Sequence, residues 1–282
     1  MDRYRVKPGQ KVKLKDFDPN DKGDWQGRKD EGKAELLKLN QELSELQELL
    51  YAGQQHRLLV VIQAMDTGGK DGTIQAVFEG VNPQGVRVAN FKAPTTTELA
   101  HDYLWRVHAQ MPGKGELVIF NRSHYEDILV VRVHNLVPEE VWKKRYQQIV
   151  EFERMLTEEG TTILKFYLHI DQEEQKKRLI ERIDDPKKQW KFNPADLDER
   201  KLWGKYMAAF EEMLEKTSTT SAPWYAIPSN DNWYRNLVAA SVIVDTLKSF
   251  KMEYPQPAED ITKYKDALLT ENNPPTIPAN GI

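Results

Sequence analysis

Apolar residues along the chain follow two alternating patterns. In "KAELLKLNQELSELQELLYAG" (33–53) leucines recur at Leu36, Leu39, Leu43, Leu46 and Leu50. Steps of three and four place them on one face of a helix, and Gly53 ends it. "RLLVVIQ" (57–63) is instead a short, almost wholly apolar run, the signature of a parallel strand buried on both faces. A Gly-rich stretch follows, and then a helix from near Gly69 to about Gly80. "GVRVANF" (85–91) alternates apolar and polar positions, as a strand nearer a sheet edge does. Thr95, with Glu98 three residues later, forms a capping box and predicts a helix within 93–111.

The alternation continues to the C-terminal part. "GELVIFNRS" (115–123) is another buried strand, and "HYEDILVVRVHN" and "PEEVWKKRYQQIVEFERMLTEEG" read as helices. The β-branched stretch Ile128–Val133 weakens the first of these. "TTILKFYLHI" (161–170) is a strand, followed by a helix over 171–183 capped by Asp171. "DDPKKQWKFNPADLDER" (184–200) has two prolines and no apolar period, which predicts a long loop. "LWGKYMAAFEEMLEKT" is helical, "PWYAIPS" (223–229) is the last strand and "WYRNLVAASVIVDTLKSF" the last helix. Five strands alternating with helices predict an α/β fold, with a parallel sheet covered on both faces. Residues 1–30 are polar and read as an extended arm. Residues 31–252 form one domain, and the proline-bearing tail 253–282 is expected to be extended.

Composition narrows the class. The chain has 282 residues, 39% apolar and 30% charged, as a globular enzyme does. No apolar run approaches a membrane span, no signal-peptide core opens the chain, and there is no cysteine. A cytoplasmic protein with no membrane partner is the expectation. The net charge of −4 opposes nucleic-acid binding and requires any polyanion to find a local basic cluster.

The candidate chemistry begins at "AMDTGGKDGT", Ala64–Thr73. Between a buried strand and a helix, this stretch resembles the phosphate-binding pattern G-x-x-x-x-G-K-[ST], but Ala64 replaces the first glycine and Asp71 the hydroxyl residue. Backbone N–H groups of Gly68, Gly69, Gly72 and Thr73 would face an anion, and Lys70 would supply a mobile charge. Two carboxylates in such a loop make sense beside a divalent cation. Mg²⁺, with Mn²⁺ as the alternative, is held by one or two carboxylates plus phosphates and waters. Asp66 is the first ligand, and Asp127, beyond the strand end "LVIFNRSHYED", is the second. Arg122 offers a fork for phosphate oxygens, and Glu126 is a substrate-side acid. The segment after Asp184 packs Lys187, Lys188 and Lys191 around Trp190, close to Arg178 and Arg182, and has the character of a basic lid. Asp71 has two readings, capping a helix N-terminus or joining the metal shell.

Together, A-x-D-x-x-G-K-D-G, N-R-S-H-Y-E-D and R-x-D-D-P-x-K-x-W-K-F resemble the polyphosphate kinase 2 family, over about residues 33–250. The second motif is similar to that of its class III subgroup. The resemblance implies a P-loop, thymidylate-kinase-like three-layer sandwich with a helical lid over 178–200. It implies phosphoryl transfer from inorganic polyphosphate to AMP and ADP. Asp66 and Asp127 would then hold the metal, and Lys70, Arg122, Arg178 and Arg182 would act on the transferring phosphates. Arg132, Lys187, Lys188 and Lys191 would join the loop residues, Asp71 among them, in binding polyphosphate. Asn121 and Glu126 mark the subgroup and bear on the nucleotide, with Asn82, Phe91 and Lys92 as candidate base contacts. Adenine nucleotides are expected, with guanine nucleotides the alternative, and a homo-oligomer, dimer or tetramer. An ATP-dependent nucleoside monophosphate kinase and a non-catalytic P-loop protein share much of this pattern.

Overall fold

The computed structural model describes residues 1–270. Helix α1 (Lys29–Gly53) precedes β1 (Arg57–Ala64), α2 (Lys70–Val77) and β2 (Val86–Asn90). Two single turns, α3 (Thr96–Leu99) and α4 (Trp105–His108), lead to β3 (Leu117–Asn121), α5 (Val130–Val133) and α6 (Glu139–Glu158). Then come β4 (Thr161–His169), α7 (Gln172–Asp184), α8 (Ala195–Lys201), α9 (Trp203–Thr217), β5 (Trp224–Pro228), α10 (Asn232–Ser249) and α11 (Thr262–Thr270).

The five strands form one parallel sheet in the order β2-β3-β1-β4-β5. Successive residues of a strand face opposite sides, and the burial follows this closely. Leu58, Val60 and Ile62 pack with Leu117, Ile119, Phe166 and the inner faces of α1, α2 and α10. Leu59 and Val61 pack with Val118, Phe120 and the faces of α6 and α9. Both faces are therefore covered, and the apolar run 57–63 has its explanation. The edge position of β2 matches its alternating pattern. In α1, Leu36, Leu43 and Leu50 are buried and Leu39 and Leu46 lie partly buried against the same core. The leucine stripe is thus core, not a free surface for a second copy.

Several predicted elements are shorter or placed differently. The Thr95 capping box forms, but the helix it opens stops at Leu99, because Asp102 turns the chain by accepting from the Leu104 N–H (3.0 Å). "HYEDILVVRVHN" splits into a 3-10 turn, His124–Asp127, and the single turn α5, in keeping with its β-branched residues. The loop 184–200 contains a 3-10 turn, Gln189–Lys191, and ends inside α8. The N-terminal arm is largely irregular but docked. Tyr4, Val6, Val12 and Leu14 are buried, the Val6 N–H donates to the Trp224 carbonyl (2.8 Å), and Arg5 bridges Tyr225. It thereby covers the β5 edge, which would otherwise expose unpaired strand groups. The tail is not wholly extended, since α11 forms where the prolines pause, with Asp260 accepting from the Thr262 N–H (2.9 Å). Residues 271–282, with three of its prolines, lie outside the described residues. Among the described residues no helix is long and apolar enough to cross a membrane.

Candidate active site

The chain leaves β1 toward β2 and leaves β4 toward β5, on opposite sides of this adjacent pair. The loops after the two strands therefore diverge and open a crevice at their carboxyl ends. A cleft of about 1280 Å³ lies there, lined by the loop after β1, the ends of β2 and β3, α7, the segment 188–196 and the start of α10. Although the chain is net acidic, cations outnumber carboxylates in this lining.

The loop after β1 is strained in a defined way. Thr67 (φ 63°) and Gly69 (φ 99°) are both left-handed, which glycine adopts freely and threonine does not. Arg178 holds the strained turn in place. Its Nη1 donates to the Thr67 carbonyl (3.0 Å), its Nη2 to the carbonyls of Ser229 (2.6 Å) and Asn230 (3.0 Å), and its Nε to Glu174 (2.8 Å). Arg178 is thus a buried clamp tying the loop to the ends of β5 and α7, more than an open phosphate contact. At Gly68 an added Cβ would lie 2.6 Å from Ala64 Cβ, so Gly68 makes the room that lets alanine stand at the pattern's first glycine. Lys70 opens α2 and folds back over the loop, donating to the carbonyls of Ala64 (3.1 Å) and Met65 (3.2 Å). Burial, and then the charge of Arg122, lower its pKa.

β3 delivers the opposing side. Arg122 follows the strand with φ 61°, and its Nη2 donates to Asp66 Oδ1 at 2.8 Å. Asn121 lies level with Asn90 of β2, and its Nδ2 donates to Asn90 Oδ1 (3.0 Å) and Asp71 Oδ1 (2.8 Å). Asp71 Oδ2 also lies 3.8 Å from Lys191 Nζ. Asp71 lies in the first turn of α2, as its helix N-terminus reading expects, and its carboxylate also joins the β3 end to the segment 188–191. Phe91 is buried against Phe120, under the guanidinium of Arg106, and lines the cleft beside Lys92.

The structure gathers Asp66, Gly69, Lys70, Asp71, Gly72, Phe91, Lys92, Asn121, Arg122, Arg178, Arg182, Lys188 and Lys191 around this one cleft. Seven other residues lie outside its lining. Asn82 sits in the turn before β2, at the opposite end of the sheet, where it accepts from the Gln84 N–H (2.9 Å); a residue preceding a parallel strand cannot reach its carboxyl end. Arg132 points between α6 and α9, donating to Tyr146 (2.9 Å) and Glu212 and lying over Trp142. Lys187 is exposed and does not line the cleft. Thr73 is buried, with its hydroxyl donating to the Gly69 carbonyl (3.0 Å), and Gly68 faces Ala64. Glu126 lines a small adjacent cavity with Asp66 and Arg122, and accepts from Gln63 (3.1 Å).

Asp127 departs furthest from its expected place. Its carboxylate accepts from Arg145 of α6 (2.9 Å), outside the lining of the cleft. Burial raises its pKa, with Arg145 opposing. No group of three or more His, Cys, Asp or Glu able to cage a metal occurs among the described residues. This donor set fits Mg²⁺, which takes most of its ligands from phosphates and water. Asp66, in the cleft lining, would serve it on loosening from Arg122, and Asp127, outside the lining, on leaving Arg145.

A family model for polyphosphate kinase 2 matches residues 26–255, most of the chain. The chain belongs to the polyphosphate kinase 2 family. An AMP/ADP-polyphosphate phosphotransferase of Meiothermus ruber is 60% identical over 91% of this chain and 96% of its own length. An ADP-polyphosphate phosphotransferase of Rhodopseudomonas palustris is 44% identical over 90% and 92%. The crystal structure of polyphosphate kinase 2 from Arthrobacter aurescens TC1 superposes with a TM-score of 0.90 at 41% identity, covering 94% of this chain and 95% of that one. The polyphosphate kinase 2 fold, a P-loop-type α/β sandwich on a five-stranded parallel sheet, is thus the fold of this chain.

Within this polyphosphate kinase 2 site, sequence reasoning passed over Lys29, Lys33 and Arg235, all of which line the cleft. Lys29 and Lys33, one helical turn apart, look like any solvated pair. Arg235 did carry a signal. It is a charge inside the otherwise uncharged stretch of α10 from Trp233 to Val244, and such a residue is buried only with partners.

Proposed function

We propose that this protein transfers the terminal phosphoryl group of inorganic polyphosphate to AMP and ADP, giving ADP and ATP, reversibly. The observation that carries this reading is the cleft itself. A chain with net charge −4 concentrates its cations around a glycine-rich loop at the one rim where β1, β3 and β4 end. The names of its relatives from Meiothermus ruber and Rhodopseudomonas palustris support the same donor and acceptors.

The chemistry follows from the residues. A nucleotide phosphate is already anionic, so in-line attack on the end phosphorus needs alignment and charge neutralisation more than a base. Lys70 and Arg122 flank the transferring group, Lys70 from the loop and Arg122 from the β3 end. Asn90, Phe91, Lys92 and Asn121 form the side suited to a nucleoside monophosphate. Arg182, Lys188 and Lys191 cover the phosphate chain and exclude water, favouring transfer over hydrolysis. Asp66, with Asp127 once released from Arg145, would hold Mg²⁺ or Mn²⁺. When bound, that ion neutralises and aligns the phosphate oxygens. Adenine is the proposed base, the cytoplasm the proposed location and a homo-oligomer, dimer or tetramer, the proposed assembly.

The test is AMP with polyphosphate and Mg²⁺ in the absence of any nucleoside triphosphate. Conversion to ADP and then ATP is expected. Conversion only when ATP replaces polyphosphate as donor would make the protein a nucleoside monophosphate kinase instead.

A further inference from the structure

Arg235 reaches the cleft from α10, the helix after β5, whereas Arg122 approaches from β3 on the other side of β1. The residue is 2% exposed. Its Nη1 donates to Asn232 Oδ1 (2.7 Å), and its Nε and Nη2 share Asn236 Oδ1 (3.1 and 2.9 Å). Its partners among the described residues are neutral amides, and the charged neighbour is another cation, Arg178. Amide oxygens satisfy N–H donors but do not neutralise a buried charge, which is costly without a counter-ion.

The glycine-rich loop is shaped around this guanidinium. A Cβ at Gly69 would lie 1.9 Å from Arg235 Nη1, and one at Gly72 would lie 3.5 Å from Nη2. The positive φ of Gly69 already disfavours a side chain, and the arginine excludes one. Arg235 therefore lies against the first turn of α2, where backbone N–H groups favour an anion.

The cleft also divides by chemistry about β1. Lys29, Lys33, Lys177 and Arg182 enter from α1 and α7, on the side of Arg235. Asn90, Phe91 and Asn121 enter after β2 and β3 and carry amides and an aromatic ring. We propose that Arg235 is a ligand for polyphosphate, gripping it beside the transferring phosphoryl group through Gly69 and Gly72, and that it sets affinity for polyphosphate and not for nucleotide. This rests on the proposed polyphosphate-dependent activity.

Arg235→Gln and Arg235→Lys test it, read by thermal denaturation with and without inorganic tripolyphosphate and by separate KM values for polyphosphate and AMP. Wild type is expected to gain melting temperature with tripolyphosphate. In Arg235→Gln that gain should shrink at a fixed tripolyphosphate concentration while the ligand-free melting temperature holds or rises, since an unneutralised buried cation is gone. KM for polyphosphate should rise on the order of tenfold to a hundredfold, the range for a lost charged hydrogen bond, with KM for AMP within about twofold. Arg235→Lys, keeping charge but losing the fork, should fall between; if Arg235→Gln does not fold, this variant decides alone. An undiminished tripolyphosphate gain in the variants, or a rise in KM confined to AMP, would overturn the assignment. So would a wild type without any tripolyphosphate response. Failure of the activity reading shows separately: wild type and variants alike would leave AMP untouched, while the thermal gain still reports on the anion site.

Discussion

At Asp66 and Asp127 two carboxylates from the ends of adjacent strands have unlike neighbours. Asp66 faces the cleft and meets Arg122, while Asp127 turns to Arg145. If both come to hold the metal, Asp66→Asn and Asp127→Asn should each lower kcat roughly 10²–10³-fold at saturating Mg²⁺, the scale of losing a transition-state electrostatic contact. Turnover near wild type in either variant would remove that residue from the metal shell. Asp71 shows what residue types leave open. A sequence reading can place it in a phosphate loop, but its bonds run to Asn121 and toward Lys191, which come from strand and lid positions 50 and more residues away. Arg178, which reads as a phosphate contact, lines the cleft and also donates to the carbonyls of Thr67, Ser229 and Asn230, a tie that residue type does not reveal.

Among the elements, the β3 end is held by a polar cluster inside the core. Lys165 of β4 is fully buried, donating to Glu153 of α6 (2.5 Å), Tyr125 (2.9 Å) and the Thr217 carbonyl of α9 (2.7 Å). Tyr125 also donates to Glu153 (2.7 Å), so the turn carrying Arg122 and Asp127 is tied to three elements. Burial works against the charge on Glu153, but the Lys165 ammonium and His124 outweigh it and hold its pKa below the usual range. Lys165→Met would leave Glu153 buried and unpaired, at a cost of about 3–5 kcal/mol in denaturant unfolding. Adding Glu153→Leu should restore much of that loss. A single-variant cost well under 1 kcal/mol would contradict this account. None of this was legible beforehand, because a lysine within "TTILKFYLHI" looks like an edge-strand charge until α6 and α9 are packed over it. The strands and long helices were legible, because burial on both faces leaves uninterrupted apolar runs and burial on one face leaves a 3.6-residue period. The turns 96–99, 105–108 and 130–133 were not, since a cap or an apolar run does not state where the next side-chain bond ends a helix.

For the whole molecule, the N-terminal segment is part of the folded body. His169, at the end of β4, has its Nε2 3.1 Å from the Phe17 carbonyl, and burial lowers its pKa below the ordinary 6.5. The unfolded chain therefore takes up this proton at higher pH than the folded one. The resulting contribution to stability is complete above pH 6.5 and is lost as pH falls from there through the lower folded value. Melting temperature should decline below about pH 6.5, and His169→Gln should flatten that decline; an unchanged profile in the variant would place the acid sensitivity elsewhere.

The sequence by itself determined the α/β class, the parallel sheet, the glycine-rich loop and the family, because those depend on local periodicity and short motifs in order. Only the tertiary structure decided which charges meet. It brought Arg235 under Gly69, sent Asn82 and Arg132 away from the cleft and gave Asp127 to Arg145. Charge pairing at a sheet end is set by which strands lie side by side and which helices pack behind them, and no local stretch of sequence carries that information.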